Sequence, residues 1–231
     1  MSAPQPLPFH GFSAKAFAFL RDLDANQNRE WFEAHKATYE QELKGPLSSL
    51  VSSLGLALAV AGVELSCDPK RALFRIHRDV RFAKDKRPYK AHVSASMSRD
   101  GERLAPGILY IHFDPKGSFM AAGFWQPEPP ALHKIRSRIV AKPKDFRAIV
   151  AGLAKSGLAF APGEPMKRTP RGFEAVEDED LVAWLRLKSL IVRAPLTRKT
   201  TADADALIAA IIGFAQTCHP LLRFGWTAIA G

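Results

Sequence analysis

From Ser13 to Gly62 the apolar positions recur at three- and four-residue spacing. Ser13 can cap a helix carrying Phe17, Phe19, Leu20 and Leu23, and Asn28 a second with Trp31, Phe32 and Tyr39. Glu30 and Glu33 fall near the start of that second helix, where its dipole favours acid. After the Gly45-Pro46 break, Leu47, Leu50, Val51, Leu54 and Leu58 predict a third helix, ended by Gly62. From Ala72 the period changes to two. Phe74, Ile76, Val80 and Phe82 fall on one face of an extended segment, and Arg75, His77, Asp79 and Arg81 on the other. Arg78 lands on the apolar side, so it must meet a carboxylate or carbonyls there, or mark a bulge. Ala91, Val93, Ala95 and Met97 then alternate with His92, Ser94, Ser96 and Ser98. Short polar turns lead to strands at Ile108 to Phe113 and Phe119 to Trp125, which predicts an antiparallel meander. Helices are expected at Pro130 to Ala141, Pro143 to Lys155, Glu179 to Leu185 and Ala202 to Thr217, the last capped by Thr201, with a strand at Leu190 to Arg193. The pattern predicts an α+β fold in which helices pack on one face of an antiparallel sheet of about four to five strands. A polar, basic site takes the other face. Residues 1–231 are read as one domain with residues 1–11 as a tail; Trp31 and Trp184 are expected in the core.

Charge sharpens this picture. The chain carries 33 Lys or Arg against 23 Asp or Glu, a formal net charge of +10. Residues 67–103 hold eleven of the cations and five of the anions, so six of the ten net charges sit in 37 residues. A local excess of this size favours an anionic partner. Two cysteines without a CxxC spacing suit a reducing compartment and buried thiols. The N-terminus lacks a signal-peptide pattern, and the apolar runs at Leu54 to Val63 and Leu207 to Ala215 are too short to cross a bilayer. A cytoplasmic protein with no membrane partner is expected.

The charge concentrates in FRIHRDVRFAKDKRPYK, Phe74 to Lys90, where seven Lys or Arg and His77 are interleaved with two aspartates and with aromatic and branched residues. Same-face residues of a strand lie roughly 6.5 to 7 Å apart, so Arg75, His77, Asp79 and Arg81 would form a row about 20 Å long. Beside it, the next strands offer His92, Ser94 and Ser96, then Tyr110 and His112. Small hydroxyls facing long arginines leave a hollow suited to a phosphate-bearing or other anionic small molecule. On this reading Arg75, Arg78, Arg81, Lys84, Lys86 and Lys90 hold the anion. Asp79 or His77 moves a proton, Tyr89 supplies a second donor, and Lys167 and Arg168 in MKRTPRGF form either a lid or a solvated loop. Whether a reaction occurs, and with which cofactor, is left open by the sequence. His77, Asp79, His92 and His112 have no HxH or HExxH spacing, and no metal is assigned. GxSxG, P-loop and GxGxxG motifs are missing, which argues against the nucleotide and nucleophile chemistry those motifs serve.

Two other readings compete. Lys84, Lys86, Arg87 and Lys90 could grip nucleic-acid phosphates while Phe82, Tyr89 and Trp125 stack on bases, although Phe74, Phe82 and Phe113 also alternate as core residues do. Alternatively, Asp79 and Asp85 are hubs of a purely structural ion-pair network. Eleven cations cannot all be neutralised by five anions, which leaves a surplus for a ligand. Cys67 stands close to the motif, but no histidine is placed to activate it.

FRIHRDVRFAKDKRPYKAH, GFWQP at Gly123 to Pro127, Arg136 in the next helix and KRTPRGF later in the chain together resemble the DUF2461 family. The likeness spans residues 12–225 and departs from the family's pattern at His77, where an aromatic such as Tyr is usual, and at Arg87. The resemblance implies family membership without implying an activity.

Overall fold

The computed structural model describes residues 8–231; most of the expected tail lies outside the described residues, but Phe9 is buried against Phe12. The helical first third forms as its caps dictate. α1 (Ala14–Ala25) starts where Ser13 Oγ accepts from the Ala16 N–H at 3.1 Å, and α2 (Arg29–Ala34) where Asn28 Oδ1 accepts from Trp31 at 2.9 Å. A short α3 (Lys36–Tyr39) passes through a π-helical turn at Glu40–Lys44 into α4 (Gly45–Val60), with Pro46 in its first turn. α5 (Pro69–Ala72) follows.

Four antiparallel strands, β1 (Val93–Ser98), β2 (Ile108–Phe113), β3 (Ser118–Phe124) and β4 (Leu190–Leu196), lie side by side in that order. The register sets Val93 opposite Phe113, Leu109 opposite Ala122 and Ala122 opposite Val192, so one face is apolar throughout. Against it pack α4 and the C-terminal helix, in one core with α6 (Pro129–Ala141) and α7 (Pro143–Lys155). α8 (Glu179–Leu185) precedes β4, and α9 (Arg198–Ala202) and α10 (Ala204–Ala230) follow it. α10 is capped by Asp203, whose Oδ1 accepts from Ala206 at 2.9 Å; Thr201, the expected cap, is buried in α9. α10 also runs past Thr217, because apolar groups on both sides of Pro220, among them Cys218, Leu221, Leu222 and Trp226, hold it in the core despite the missing N–H. The stretches 36–60 and 204–230 are therefore continuous helices long and apolar enough to cross a membrane, with mean hydropathy 1.4 each. This corrects the shorter runs read from sequence. Leu50, Leu54, Leu207 and Ile211 on these helices are completely buried in the core.

The largest correction concerns the segment expected as the first strand. Burial alternates as predicted from Phe74 to Arg81, with even positions turned in and odd ones out, yet no ladder forms. Leu73 bridges Ala95 and the Phe74 N–H donates to Ser94 O at 3.0 Å, but β1 begins at Val93, so the chain runs off the end of the sheet. Its backbone finds a partner in the returning segment: Arg78 N–H donates to Pro88 O and Lys90 N–H to Ile76 O, both at 2.8 Å, around a His77–Tyr89 bridge. Phe82 sits at the tip of this loop, 95% exposed, and is not a core residue.

Candidate functional site

The basic motif divides into two halves with different electrostatics. In the loop from Arg78 to Arg87 most of the cations are internally satisfied. Arg78, half-buried, donates to Asp85 Oδ2 at 2.7 Å, so of the partners alternation allowed it meets a carboxylate. Arg87 grips the same carboxylate at 2.9 and 3.1 Å and also reaches Asp24 at 3.0 Å. Asp24, at the end of α1, in turn accepts from Lys116 Nζ at 2.8 Å, which ties the loop to the β2–β3 turn. Arg81 makes a bidentate pair with Asp79 at 3.0 and 2.8 Å. Lys86 Nζ donates to the carbonyls of Val80 and Arg81. These pairs hold the carboxyls below their ordinary range: Asp85 through its hydrogen bonds to Arg87 and then Arg78, Asp79 through Arg81, and Asp24 through Lys116. Lys84 projects from the loop, exposed and outside any ion pair found among the described residues.

Tyr89 and His77 anchor the loop. The Tyr89 ring is 4% exposed and stacked on Phe32 at 4.5 Å, and its N–H donates to Gln27 Oε1 at 3.1 Å. His77 lies edge-on to Phe32 at 5.7 Å and beside Tyr89 at 5.2 Å. Burial, and secondarily Glu33, push the Tyr89 phenol up. Lys167 and Arg168 lie elsewhere. Their loop pairs with β4 through Phe160 and with α8 through the Met166 N–H to Arg186 O bond, at the opposite edge of the sheet from the motif. The structure does not bring them together with Arg75 or Lys90. Buried Arg136 braces that loop, reaching Leu187 O at 3.0 Å and Met166 Sδ at 3.3 Å.

The other half of the motif opens onto a groove. Lys70, Arg71, Phe74, Arg75, Lys90 and Arg103 line an open volume of about 690 Å³, which shares Lys70, Phe74, Arg75 and Arg103 with a neighbouring hollow of about 490 Å³ bordered by α2 to α4. Arg71 pairs with Glu102, Lys36 with Glu33 and Lys44 with Glu40. Lys70, Arg75, Lys90 and Arg103 form no ion pair among the described residues. Lys90 Nζ donates to Arg75 O at 3.1 Å, and Arg103 Nε to Arg71 O at 2.7 Å. Both cations lie over the Phe74 ring, at 5.4 and 5.5 Å. Burial, then the nearby Arg75 and Arg103 charges, make the Lys90 ammonium easier to deprotonate than usual. Asp100 and Glu102 also border this volume: Glu102 pairs with Arg71, and Asp100 Oδ1 accepts from Ser98 Oγ and the Glu102 N–H without forming an ion pair to any of the four cations.

Phe74 meets Tyr110 edge-on at 6.0 Å, and there the groove adjoins the polar face of the sheet. Ser94 and Ser96 are buried there, and Ser96 Oγ donates to Arg103 O at 2.6 Å, which fixes the Arg103 loop over β1. Tyr110 Oη lies 3.0 Å from His112 Nδ1. His112 is sandwiched between His92 at 4.2 Å and Phe119 at 4.6 Å, with Arg193 capping the Phe119 ring. Burial lowers both histidines, His92 to about 4, so both imidazoles are neutral at pH 7. His92, His112 and Asp114 each present a ligand-type atom within 4.8 Å of the other two.

Sequence reasoning missed Arg103, Lys70, Asp24 and Asp114 as site components. Arg103 and Lys70 lay inside the basic window but outside the motif. Asp24 is 63 and 92 residues from its partners Arg87 and Lys116, a separation that nothing in one sequence bridges.

An antiparallel sheet backed by helices, with a basic groove at one edge and a histidine pair on its polar face, defines an α+β protein. Residues 15–224 match the profile of the conserved hypothetical protein family DUF2461, and the chain belongs to that family. No curated protein and no solved structure matches the chain.

Proposed function

We propose that this protein binds a small phosphate- or carboxylate-bearing molecule in the groove between α5 and the Arg103 loop, with Arg75, Lys90, Arg103 and Lys70 as its cationic contacts and Phe74 as its floor. The observation that supports this most directly is the gathering of four cations without a carboxylate partner. Like charges held together in a partly desolvated groove repel one another, and an anion relieves that repulsion. Arginine forks suit the planar or tetrahedral oxygens of such a ligand, while Lys90 adds a point charge. The paired cations Arg78, Arg81 and Arg87 then serve as framework that presents the groove. Two unpaired thiols suit a reducing compartment, and we place the protein in the cytoplasm.

The test is thermal stability in a panel of inorganic phosphate, citrate, sugar phosphates and mononucleotides, with wild type and Arg75→Ala and Arg103→Ala. Ligand at a hundred times its Kd adds about 2.7 kcal/mol. Stabilisation of the wild type by one anion class, lost in both variants, is expected; equal stabilisation in wild type and variants refutes the groove.

A second reading draws on the loop tip, where the bare Phe82 ring stands between Arg81 and Lys84. Such a tip could stack on a single-stranded base while lysines meet phosphates. Short DNA and RNA oligonucleotides belong in the same panel at low and moderate salt. Binding that fades steeply with salt and is lost in Phe82→Ala would favour this reading over the groove.

A further inference from the structure

We propose that His92, His112 and Asp114 bind a zinc ion, with a fourth position left open for water or for an anion. The inference stands independently of the groove reading. The β1–β2 register pairs Val93 with Phe113 and Ser94 with His112. One step beyond the ladder, His92 comes opposite Asp114, and His92 lies diagonal to His112 on the same face. Two imidazoles and one carboxylate, with no thiolate, form the donor set of zinc sites that keep a coordination position free. His112 Nε2 and Asp114 Oδ2 are 3.6 Å apart. Two ligands at the usual zinc bond lengths of about 2.0 to 2.1 Å sit about 3.4 Å from each other on a tetrahedron, so this pair needs only a small closure.

The surroundings are those of oriented ligands. Tyr110 Oη holds His112 at Nδ1, at 3.0 Å, and thereby aims Nε2 at Asp114. Asp114 spends Oδ1 on the Lys116 N–H at 2.7 Å and keeps Oδ2 for the histidine side. Packing alone offers a competing account, because the two imidazoles belong to a stack with Phe119. Stacking uses ring faces, however, and explains neither the Tyr110 contact at the ring edge nor the carboxylate in front of the other ring nitrogen. Ligation uses those edges. It requires the imidazole planes to open beyond their present 35°. Lys90 and Arg193 lie near enough to act on His92 and His112. They oppose a bare cation but favour an anion at the open position, which makes the site a Lewis-acid centre for an anionic ligand and not a closed structural one.

The full chain, stripped with a chelator and dialysed, should take up one zinc per molecule with a Kd below about 10 µM in competition with a chromophoric chelator. Cobalt in its place should give the intense visible absorption of a low-coordinate site without a thiolate charge-transfer band. His92→Ala and His112→Ala should abolish uptake. Asp114→Asn and Tyr110→Phe should weaken it about 10- to 100-fold at unchanged circular dichroism. Wild-type protein that takes up no zinc overturns the proposal whatever the variants do. Uptake that persists in both histidine variants, or a cobalt spectrum showing thiolate ligation from Cys67, overturns it as well. Should a histidine variant fail to fold, zinc-induced shifts of the His92 and His112 ring resonances in the wild type decide the matter; unshifted rings refute the site.

Discussion

Replacing Tyr89 separates two roles that its place in the basic motif confounds, proton donor and loop anchor. The ring is 96% removed from solvent, given its 4% exposure, and it stacks on Phe32 in the core. A buried aromatic removes on the order of 200 Å² from water, and at about 25 cal/mol per Å² its truncation to Ala should cost about 4 to 5 kcal/mol. Large-to-small changes at aromatic core positions fall in the same range, about 3 to 5 kcal/mol. For a chain of this length that corresponds to a fall in Tm of roughly 10 to 20 °C. Tyr89→Phe keeps the ring and removes only the hydroxyl, for which no hydrogen bond is found among the described residues, so its cost should stay below about 1 kcal/mol. Urea unfolding gives both stabilities, and phosphate or citrate titration gives the functional readout. The anchor reading expects Tyr89→Ala to be strongly destabilised and Tyr89→Phe to bind anions as the wild type does. A Tyr89→Phe protein of normal stability whose anion affinity drops tenfold would refute it and return the phenol to the site. So would a Tyr89→Ala protein losing less than about 1 kcal/mol.

Further outcomes can be checked in the same preparations. Asp24, Asp79 and Asp85 have carboxyls depressed in the folded state, so their contribution to holding the loop is present above the unfolded value near 3.8 and is lost as pH falls through the lower folded values. Amide-exchange protection factors of residues 78–87 should therefore be flat from pH 7 to about 5 and fall below about 4; a fall centred near pH 6 would contradict this. Gly123→Ala should disrupt the β3–β4 pairing and cost at least about 2 kcal/mol by urea unfolding, because φ there is +130° and a Cβ would fall 2.0 Å from Leu190 O. A normally stable variant would show the strand pairing to be wrong. Burial pushes the Cys218 thiol up to about 12, so it should not react with a disulfide reagent at pH 8 until the protein unfolds, while half-buried Cys67 is expected to label more readily; prompt labelling of Cys218 in the native protein would refute its burial.

The fold was legible wherever the determinants were local. Ser13 and Asn28 cap their helices as their side chains allow, Pro46 opens α4, and the period-two runs at 93–98 and 108–113 place their apolar residues on the core face. Alternation even identified Arg78 as an inward cation needing a carboxylate or carbonyls, or marking a bulge, and Asp85 supplies a carboxylate at 2.7 Å. What alternation could not say is whether an extended segment has a neighbour to pair with. Phe74 to Phe82 has strand periodicity, but β1 starts too late to receive it, so the sheet has four strands, the lower of the four to five expected, and Phe82 moves from the core to a loop tip. The same limit governs the end of α10, where periodicity continues past Pro220 because tertiary burial outweighs one lost backbone bond.

The site was legible as a region and not as an arrangement, and the reason is register. Arg75 and Lys90 stand at opposite ends of the motif, and Arg103 lies thirteen residues further along the chain; they share one groove because a backbone hairpin closes at His77–Tyr89 and because Ser96 pins the Arg103 loop. Likewise, His92 and His112 are separated by a turn of unspecified length until the Val93–Phe113 pairing fixes them as diagonal neighbours, with Asp114 at the rim. A shift of one residue in that register would move His92 to the opposite side of the ladder relative to His112 and disperse the cluster. Charge density along the chain marked the stretch that lines the groove, while the division into a neutralised framework loop and a cation-rich groove depends on Asp24 and on the Phe74 ring, whose partners are set only by the folded chain. It follows that substitutions at Arg81 and Arg87 should act on loop order and those at Arg75 and Arg103 on anion affinity, although all but Arg103 belong to the same motif.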